Sequence, residues 1–301
     1  MKKFSWYFSL VSSMNMNTVA KAINYLKYKM SKPKPVTLVS GGTYVIVQLV
    51  TTNRCNLKCG YCVMSKFVDY DKELPSKEMD FEFIRKAFKN PLLNNALLVD
   101  FGGGEPLLVN DIEKSIAFLK SRGHLVNMAT NGLLLKNRIH GLKKAGITRI
   151  NVSLYPENIE FLKKALPEIN SVFPVHTSFV LTKSQLEKKQ SQIFDVTDMI
   201  RKSGCHGLRF YNYQPLGRNA DKNEVVTDEI TAYKEFRSRI ERNFSDFVTW
   251  DTIITESPAG ERKKRCRQLW GRVQILPDGA VKLCCGSDLC LPDDINILTS
   301  T

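Results

Sequence analysis

Residues 125–154 read LVNMATNGLLLKNRIHGLKKAGITRINVSL, and this stretch decides the architecture. Leu125–Ala129 has the composition of a strand, Leu135–Ala145 repeats apolar residues at helical spacing and stops at Gly146, and Arg149–Leu154 is a strand again. A helix between two strands at this spacing returns the chain to the same edge, so the strands run parallel. Working outward, the same alternation starts with a β-branched run at 44–50. It continues through a helix at 81–88, a strand at 96–101 and a helix at 112–119, and beyond residue 154 it adds a helix at 159–169, a strand at 175–181, a helix at 193–202, a strand at 208–213 and a helix at 229–243. These six strand–helix units make an α/β protein, either an open doubly wound sheet or an incomplete barrel. In both, chemistry sits at the carboxyl ends of the strands.

The chain has 301 residues, 43% hydrophobic and 25% charged, enough to bury a sizeable core and too ordered in composition for global disorder. Residues 1–35 read as a helical preface, with Val19, Ile23, Leu26 and Met30 on one face, lysines on the other, and Pro33 and Pro35 ending it. Such a basic amphipathic helix either touches a membrane or packs on the main domain. Residues 36–250 form the strand–helix body. From 251 to 301 the style changes to a hairpin, Val273–Leu276 and Ala280–Leu283, turned by Pro277, Asp278 and Gly279. No apolar run of membrane-spanning length occurs, and the N-terminus only faintly imitates a signal peptide, so a reducing cytoplasm is expected. Lys and Arg number 44 against 30 acids, a formal charge of +14, which suggests an anionic partner.

The eight cysteines fall largely into two tight groups, a habit of metal or cluster ligands more than of disulfides in a chain this size. Cys55, Cys59 and Cys62 follow the first strand with the spacing C-x3-C-x2-C. Three thiolates on one loop can hold three irons of a [4Fe–4S] cube and leave the fourth open, whereas a structural zinc asks for four closed ligands. Three merely buried cysteines are the remaining alternative. Cys205, after a helix, reads as a small buried hydrophobe.

The first group, with Tyr61 before its last cysteine, resembles the signature of the radical S-adenosylmethionine (SAM) superfamily. Gly102-Gly103-Gly104-Glu105-Pro106 after the second strand resembles that family's GGEP motif. Ala129-Thr130-Asn131-Gly132 resembles its TNG, and Asn151-Val152-Ser153-Leu154 its common SL strand end. Together these cover residues 44–215. The resemblance implies a partial (β/α)6 TIM barrel with a small C-terminal β-hairpin, cluster-binding extension. It implies a [4Fe–4S] cluster on Cys55, Cys59 and Cys62, and S-adenosylmethionine held by Tyr61, Gly102, Gly103, Gly104, Glu105, Asn131, Ser153 and Tyr211, with Leu208 a weaker adenine-side candidate. Where many relatives carry Asp after SL, this chain has Tyr155-Pro156, which weakens any transfer of substrate by analogy.

The second group, Cys266, Cys284, Cys285 and Cys290, brackets the hairpin and resembles the SPASM/twitch extensions that hold auxiliary iron–sulfur clusters. The resemblance implies a twitch-like site for one auxiliary cluster or a truncated form of the longer pattern; a structural zinc on the same four cysteines is the competing reading. The run from Arg262 to Arg267 beside it is a solvated face or a means of steering an anion. By resemblance, the expected activity is hydrogen-atom abstraction in the maturation of a ribosomal peptide or protein. The alternative is dehydrogenation, epimerisation or decarboxylation of a small metabolite such as a sugar or aminocyclitol, and a non-catalytic zinc or iron–sulfur protein is the reading of another class. An electron donor such as flavodoxin or ferredoxin is implied. Stable membrane insertion is not, and the absence of aromatic–basic interleaving argues against nucleic acid.

Overall fold

A computed structural model of the chain describes residues 16–30, 45–62, 64–65, 77–215, 220–250, 271–282 and 297–298. Among the described residues one sheet of nine strands organises the molecule. Its strands are β1 (Ile46–Val50), β2 (Leu98–Gly102), β3 (Leu125–Thr130), β4 (Arg149–Leu154), β5 (His176–Leu181), β6 (Gly207–Asn212), β7 (Val248–Trp250), β8 (Arg272–Ile275) and β9 (Val281–Lys282). They lie in the order β7-β6-β5-β4-β3-β2-β1-β8-β9, parallel throughout except for the antiparallel β8–β9 pair. The α/β architecture with consecutive parallel strands is that of a partial barrel. The terminal hairpin extends this sheet, because β8 pairs with β1 through Ile46–Arg272 to Leu49–Ile275.

The helices are α1 (Met16–Met30), α2 (Phe81–Ala87), α3 (Pro91–Asn94), α4 (Ile112–Ser121), α5 (Leu135–Ala145), α6 (Ile159–Val172), α7 (Lys183–Lys188), α8 (Gln190–Lys202) and α9 (Thr231–Phe244). Local chemistry sets their ends: the Asp80 carboxylate caps α2 by accepting from Phe83 N–H, and Gly146 closes α5 at φ 87°. Alternate strand residues build the core. Val47, Leu49, Val99, Phe101, Val126, Met128, Ile150 and Val152 are all but inaccessible and pack against Ile84, Ile116, Leu119, Ile139, Leu142 and Leu162 of the helices. The residues between them face the other way, and that second face is polar.

Candidate functional site

The motifs converge at the carboxyl ends of β1, β2 and β3. Val50 and Gly102 are register partners, so the cysteine loop leaves β1 beside the glycine loop leaving β2. Thr51 N–H donates to Gly102 C=O (2.8 Å), Gly104 N–H to Thr52 C=O (2.9 Å) and Glu105 N–H to Arg54 C=O (2.8 Å). The two loops stack backbone on backbone, which is why glycines stand there. A Cβ on Gly104 would lie 2.0 Å from the Arg54 carbonyl oxygen, and one on Gly103, at φ +114°, would lie 2.8 Å from Val50 Cγ1. The far side of the cysteine loop is held by Met79 N–H to Thr51 C=O (2.8 Å), Lys77 N–H to Asn53 Oδ1 (2.9 Å) and an Arg54–Glu78 ion pair.

Glu105 joins this pair of loops to the third. It is 1% exposed. One carboxylate oxygen accepts from Leu107 N–H (3.0 Å) and Thr130 Oγ1 (2.7 Å), the other from Asn131 N–H (2.8 Å). Burial pushes its acid pKa up, and those three donors oppose the shift. Asn131 is thereby aimed at the cysteines. Its Nδ2 donates to Asn56 Oδ1 at 2.8 Å and lies 3.9 Å from Cys55 Sγ. Asn158, wholly buried, ties the same loop to β4 by donating to the Asn131 and Ser153 carbonyls at 2.8 Å each, and its Oδ1 accepts from Tyr155 N–H. Sequence reasoning missed Asn158. The turn-forming Tyr155-Pro156-Glu157-Asn158 stretch carried the signal.

Cys55, Cys59 and Cys62 are free thiols, Cys59 buried and the others partly exposed. Burial raises the Cys55 thiol pKa, with the charges of Glu105 and Cys62 adding to it and hydrogen bonds from Leu57 N–H and Asn131 opposing. Cys59 is raised further, by burial first and then by Cys62, Glu157 and Cys55. Cys55 and Cys59 resist ionisation where they stand, and the positive charge of a metal cluster would offset that. Among the described residues no three His, Cys, Asp or Glu side chains converge on one point as a single ion would require. A cube does not ask for that, since its three ligands bind three different irons. The thiols therefore fit a [4Fe–4S] cluster. Tyr61 sits among them with its ring 5.7 Å from Tyr155 and 6.4 Å from Tyr213; its buried hydroxyl makes no hydrogen bond of good geometry. Gln48, whose Oε1 is buried and has no hydrogen-bond partner among the described residues, has its Nε2 beside Gly102.

From this rim the polar face of the sheet runs down the strands. Asp100 on β2 accepts from Asn127 Nδ2 (2.9 Å) and pairs with Arg272 (3.1 Å). Asn151 donates to Ser178 Oγ, which in turn reaches Ser153 Oγ at 3.5 Å. Arg149, Arg209 and His176 crowd one another. Burial and then the Arg209 charge lower the Arg149 pKa, and burial, Arg149, His206 and Arg209 bring His176 down to about 3. Tyr211 shares this face, with the Arg209 guanidinium 6.0 Å from its ring centre. Leu208, by contrast, is 2% exposed in the helix-side core, since strand alternation turns it away from Tyr211. That corrects its reading as an adenine neighbour. Cys205 is buried as expected, and its thiol is raised to about 11.

The structure thus brings together Cys55, Cys59, Cys62, Tyr61, Gly102, Gly103, Gly104, Glu105 and Asn131, with Ser153 and Tyr211 on the adjoining face. Cys266, Cys284, Cys285 and Cys290, and the basic run from Arg262, lie outside the described residues.

Comparison with known proteins gives the same picture. The Radical SAM superfamily model matches residues 49–170. A GTP 3',8-cyclase of Clostridium botulinum is 36% identical over 272 residues, covering 80% of this chain and 81% of its own. A probable GTP 3',8-cyclase of Saccharolobus islandicus is 31% identical over 206 residues, and the match spans 63% of this chain and only 64% of that relative's length. Among solved structures, Streptococcus suis SuiB bound to its precursor peptide SuiA superposes with a TM-score of 0.63 at 17% identity, over 86% of this chain and 63% of that one, which is a likeness of fold.

Proposed function

This chain belongs to the radical SAM superfamily and is an enzyme of that type, and from that premise we propose that it removes a hydrogen atom from a small, polar, anionic metabolite, with a nucleotide as the first candidate. Cys55, Cys59 and Cys62 would hold the [4Fe–4S] cluster, with Tyr61, the Gly102–Gly104 turn, Asn131, Ser153 and Tyr211 lining the place for S-adenosylmethionine. The chemistry supplied by that pair, when bound, is one-electron cleavage of the sulfonium followed by hydrogen-atom abstraction. The residues of the chain do the positioning. Glu105 holds Asn131 against the cysteine loop, the stacked glycines fix that loop, and the polar face orients the substrate.

The observation that carries the substrate class is the charge of that face. Arg149, Arg209 and Arg272 stand on it, while its acid, Asp100, is already engaged by Arg272 and Asn127. Arg149 and Arg209 are the like charges held close, Arg272 being paired with Asp100, and such a pair favours an incoming anion, more strongly where water is partly excluded. The relatives named GTP 3',8-cyclase support a nucleotide over the expected ribosomal peptide. Peptide maturation stays as the second reading only because of the fold shared with SuiB. A cytoplasmic setting with a flavodoxin- or ferredoxin-type electron donor, and an auxiliary iron–sulfur site on Cys266, Cys284, Cys285 and Cys290, complete the proposal.

The test is release of 5'-deoxyadenosine from S-adenosylmethionine by anaerobically reconstituted protein with dithionite. Replacing Cys55, Cys59 or Cys62 with Ala is expected to bring it to background, and wild-type release from any one of these variants overturns the cluster assignment. Nucleoside triphosphates should stimulate wild-type turnover, and deuterated ones should transfer deuterium to 5'-deoxyadenosine. An Arg149→Gln/Arg209→Gln variant should raise KM about tenfold or more for them while leaving uncoupled cleavage intact. Stimulation by peptides alone would replace the first reading with the second.

A further inference from the structure

Helix α1 is docked with the wrong face inward. Among the described residues, those it buries are Thr18 and Lys21, at 4% and 7% exposure. Lys21 Nζ donates to the Arg122 carbonyl at 2.9 Å and lies 3.2 Å from His124 Nε2, while His124 Nδ1 meets the Ala96 carbonyl at 2.8 Å. The apolar residues lie on the opposite side. Met16 is 82% exposed, Val19 39%, Ile23 48%, Leu26 57% and Met30 85%. Their spacing puts them on one stripe along a helix of 15 residues, roughly 22 Å of apolar ridge at 1.5 Å per residue. Soluble proteins seldom leave such a ridge open without a partner for it.

The chemistry of the partner can be read from charge. From residue 1 to residue 44 the chain carries seven lysines and no Asp, Glu or Arg, and its first acid is Asp69. Half of the net +14 therefore lies in this stretch, and Lys27 and Lys29 stand in the last turn of α1 itself. A docking helix for a protein partner generally has a rim of mixed charge, and two copies of a segment this basic would repel each other. A single-signed lysine set flanking an apolar stripe is the composition of a helix lying in an anionic bilayer interface. Among the described residues no helix is long and apolar enough to cross a membrane.

We propose that α1 docks the enzyme on an anionic phospholipid surface, with Val19, Ile23 and Leu26 entering the headgroup–acyl boundary and Lys27 and Lys29 meeting phosphate and serine headgroups. The Lys21–His124 anchor then holds the barrel to the membrane-bound helix. Nothing in this depends on the substrate or on the cluster.

The experiment is co-sedimentation of the 301-residue, iron-loaded protein with vesicles of phosphatidylcholine alone and of phosphatidylcholine mixed with phosphatidylserine. Wild-type partitioning should be at least about tenfold higher on the anionic vesicles and should fall as salt is raised. Ile23→Glu/Leu26→Glu should lose it almost completely, a drop of about a hundredfold or more. Lys27→Glu/Lys29→Glu, which leaves the stripe intact, should lower it about tenfold. Unchanged circular dichroism of both variants would tie the losses to the surface. Wild-type protein that stays in the supernatant with both vesicle types overturns the proposal, as does an Ile23→Glu/Leu26→Glu variant that binds like wild type. A wild-type dimer in light scattering, dispersed by that variant and indifferent to vesicles, would assign the stripe to a second copy instead.

Discussion

The rim of the sheet and helix α1 both invert the ordinary distribution of polar and apolar groups, in opposite senses. At the rim, Glu105, Thr130, Asn131 and Asn158 are buried polar residues, and each is satisfied by the next. On α1 an apolar stripe faces outward while a lysine is buried. An exposed leucine or a surface lysine says little about a protein, whereas a buried polar network or a continuous exposed apolar ridge calls for a reason. At the rim the reason is rigidity, since a fully paired network in a low-dielectric site fixes the side chains around the cysteines. On α1 the reason is a missing surface. The first region is rigid through its own pairing; the second presents a face that only a surface outside the chain would pair.

That contrast is broken most directly at Gly104. A methyl group there meets the Arg54 carbonyl oxygen at 2.0 Å, and because the obstacle is backbone, the cysteine loop itself must move. Gly104→Ala should cost about 3 kcal/mol of stability and reduce 5'-deoxyadenosine release about a hundredfold, the usual penalty for an ångström of misplacement. Gly60→Ala is the control within the same loop, since its Cβ would meet nothing within 4 Å. Equal activity in the two variants would mean that the stacked loops do not hold the site.

Glu105→Gln sharpens the comparison with a smaller change. Size is kept, but an amide puts an NH2 group among donors that a carboxylate accepts from Leu107, Thr130 and Asn131. One donor loses its acceptor, at about 1–3 kcal/mol. The activity loss should exceed what the thermal shift alone explains, because Asn131 is released from Cys55. An Asp at this position should not rescue it, since the shorter arm cannot reach both loops.

Much of this was legible in the sequence, and the limits have physical causes. The β-branched runs and the Gly146 stop mark β1 to β6 and their helices, because each is written in its own residues. Strand β7 is only Val248–Trp250, too short for periodicity to register. Helix α7 buries Leu186 alone, so no apolar stripe announces it, although Thr182 and Gln185 do form a capping box. At the site, the four motifs and their order at strand ends were readable. The convergence of Glu105 on Thr130 and Asn131 was not, because it depends on β2 and β3 being neighbours. The inward-facing Lys21 is the sharpest miss. Helical spacing leaves open whether the apolar face of α1 packs on the body or meets a membrane, and the His124 pairing that turns Lys21 inward comes from a residue more than a hundred positions away.

Lys21 gives the smallest effect and a test of how α1 is held. Burial, and then the Arg122 charge, lower its pKa to about 8. In the unfolded chain the amine keeps its ordinary value near 10.5. Between these two values the unfolded state binds the extra proton, so stability contributed by this group rises as pH goes from about 8 to about 10.5 and is lost as pH falls back through 8. Water still reaches part of the ammonium, which reduces the gain to about 1 kcal/mol, or about 1–3 °C in melting temperature for a chain of this length. Lys21→Met preserves the stem that packs between α1 and the body and removes the titration. The melting temperature of the wild type relative to Lys21→Met should therefore climb by that amount across this window. Elsewhere the lysines and tyrosines of the two proteins are the same, so their titration cancels in the difference. A flat difference would show that Lys21 stays solvated, and that α1 rests on the body through Thr18 and backbone contacts instead of through the Lys21–His124 pair.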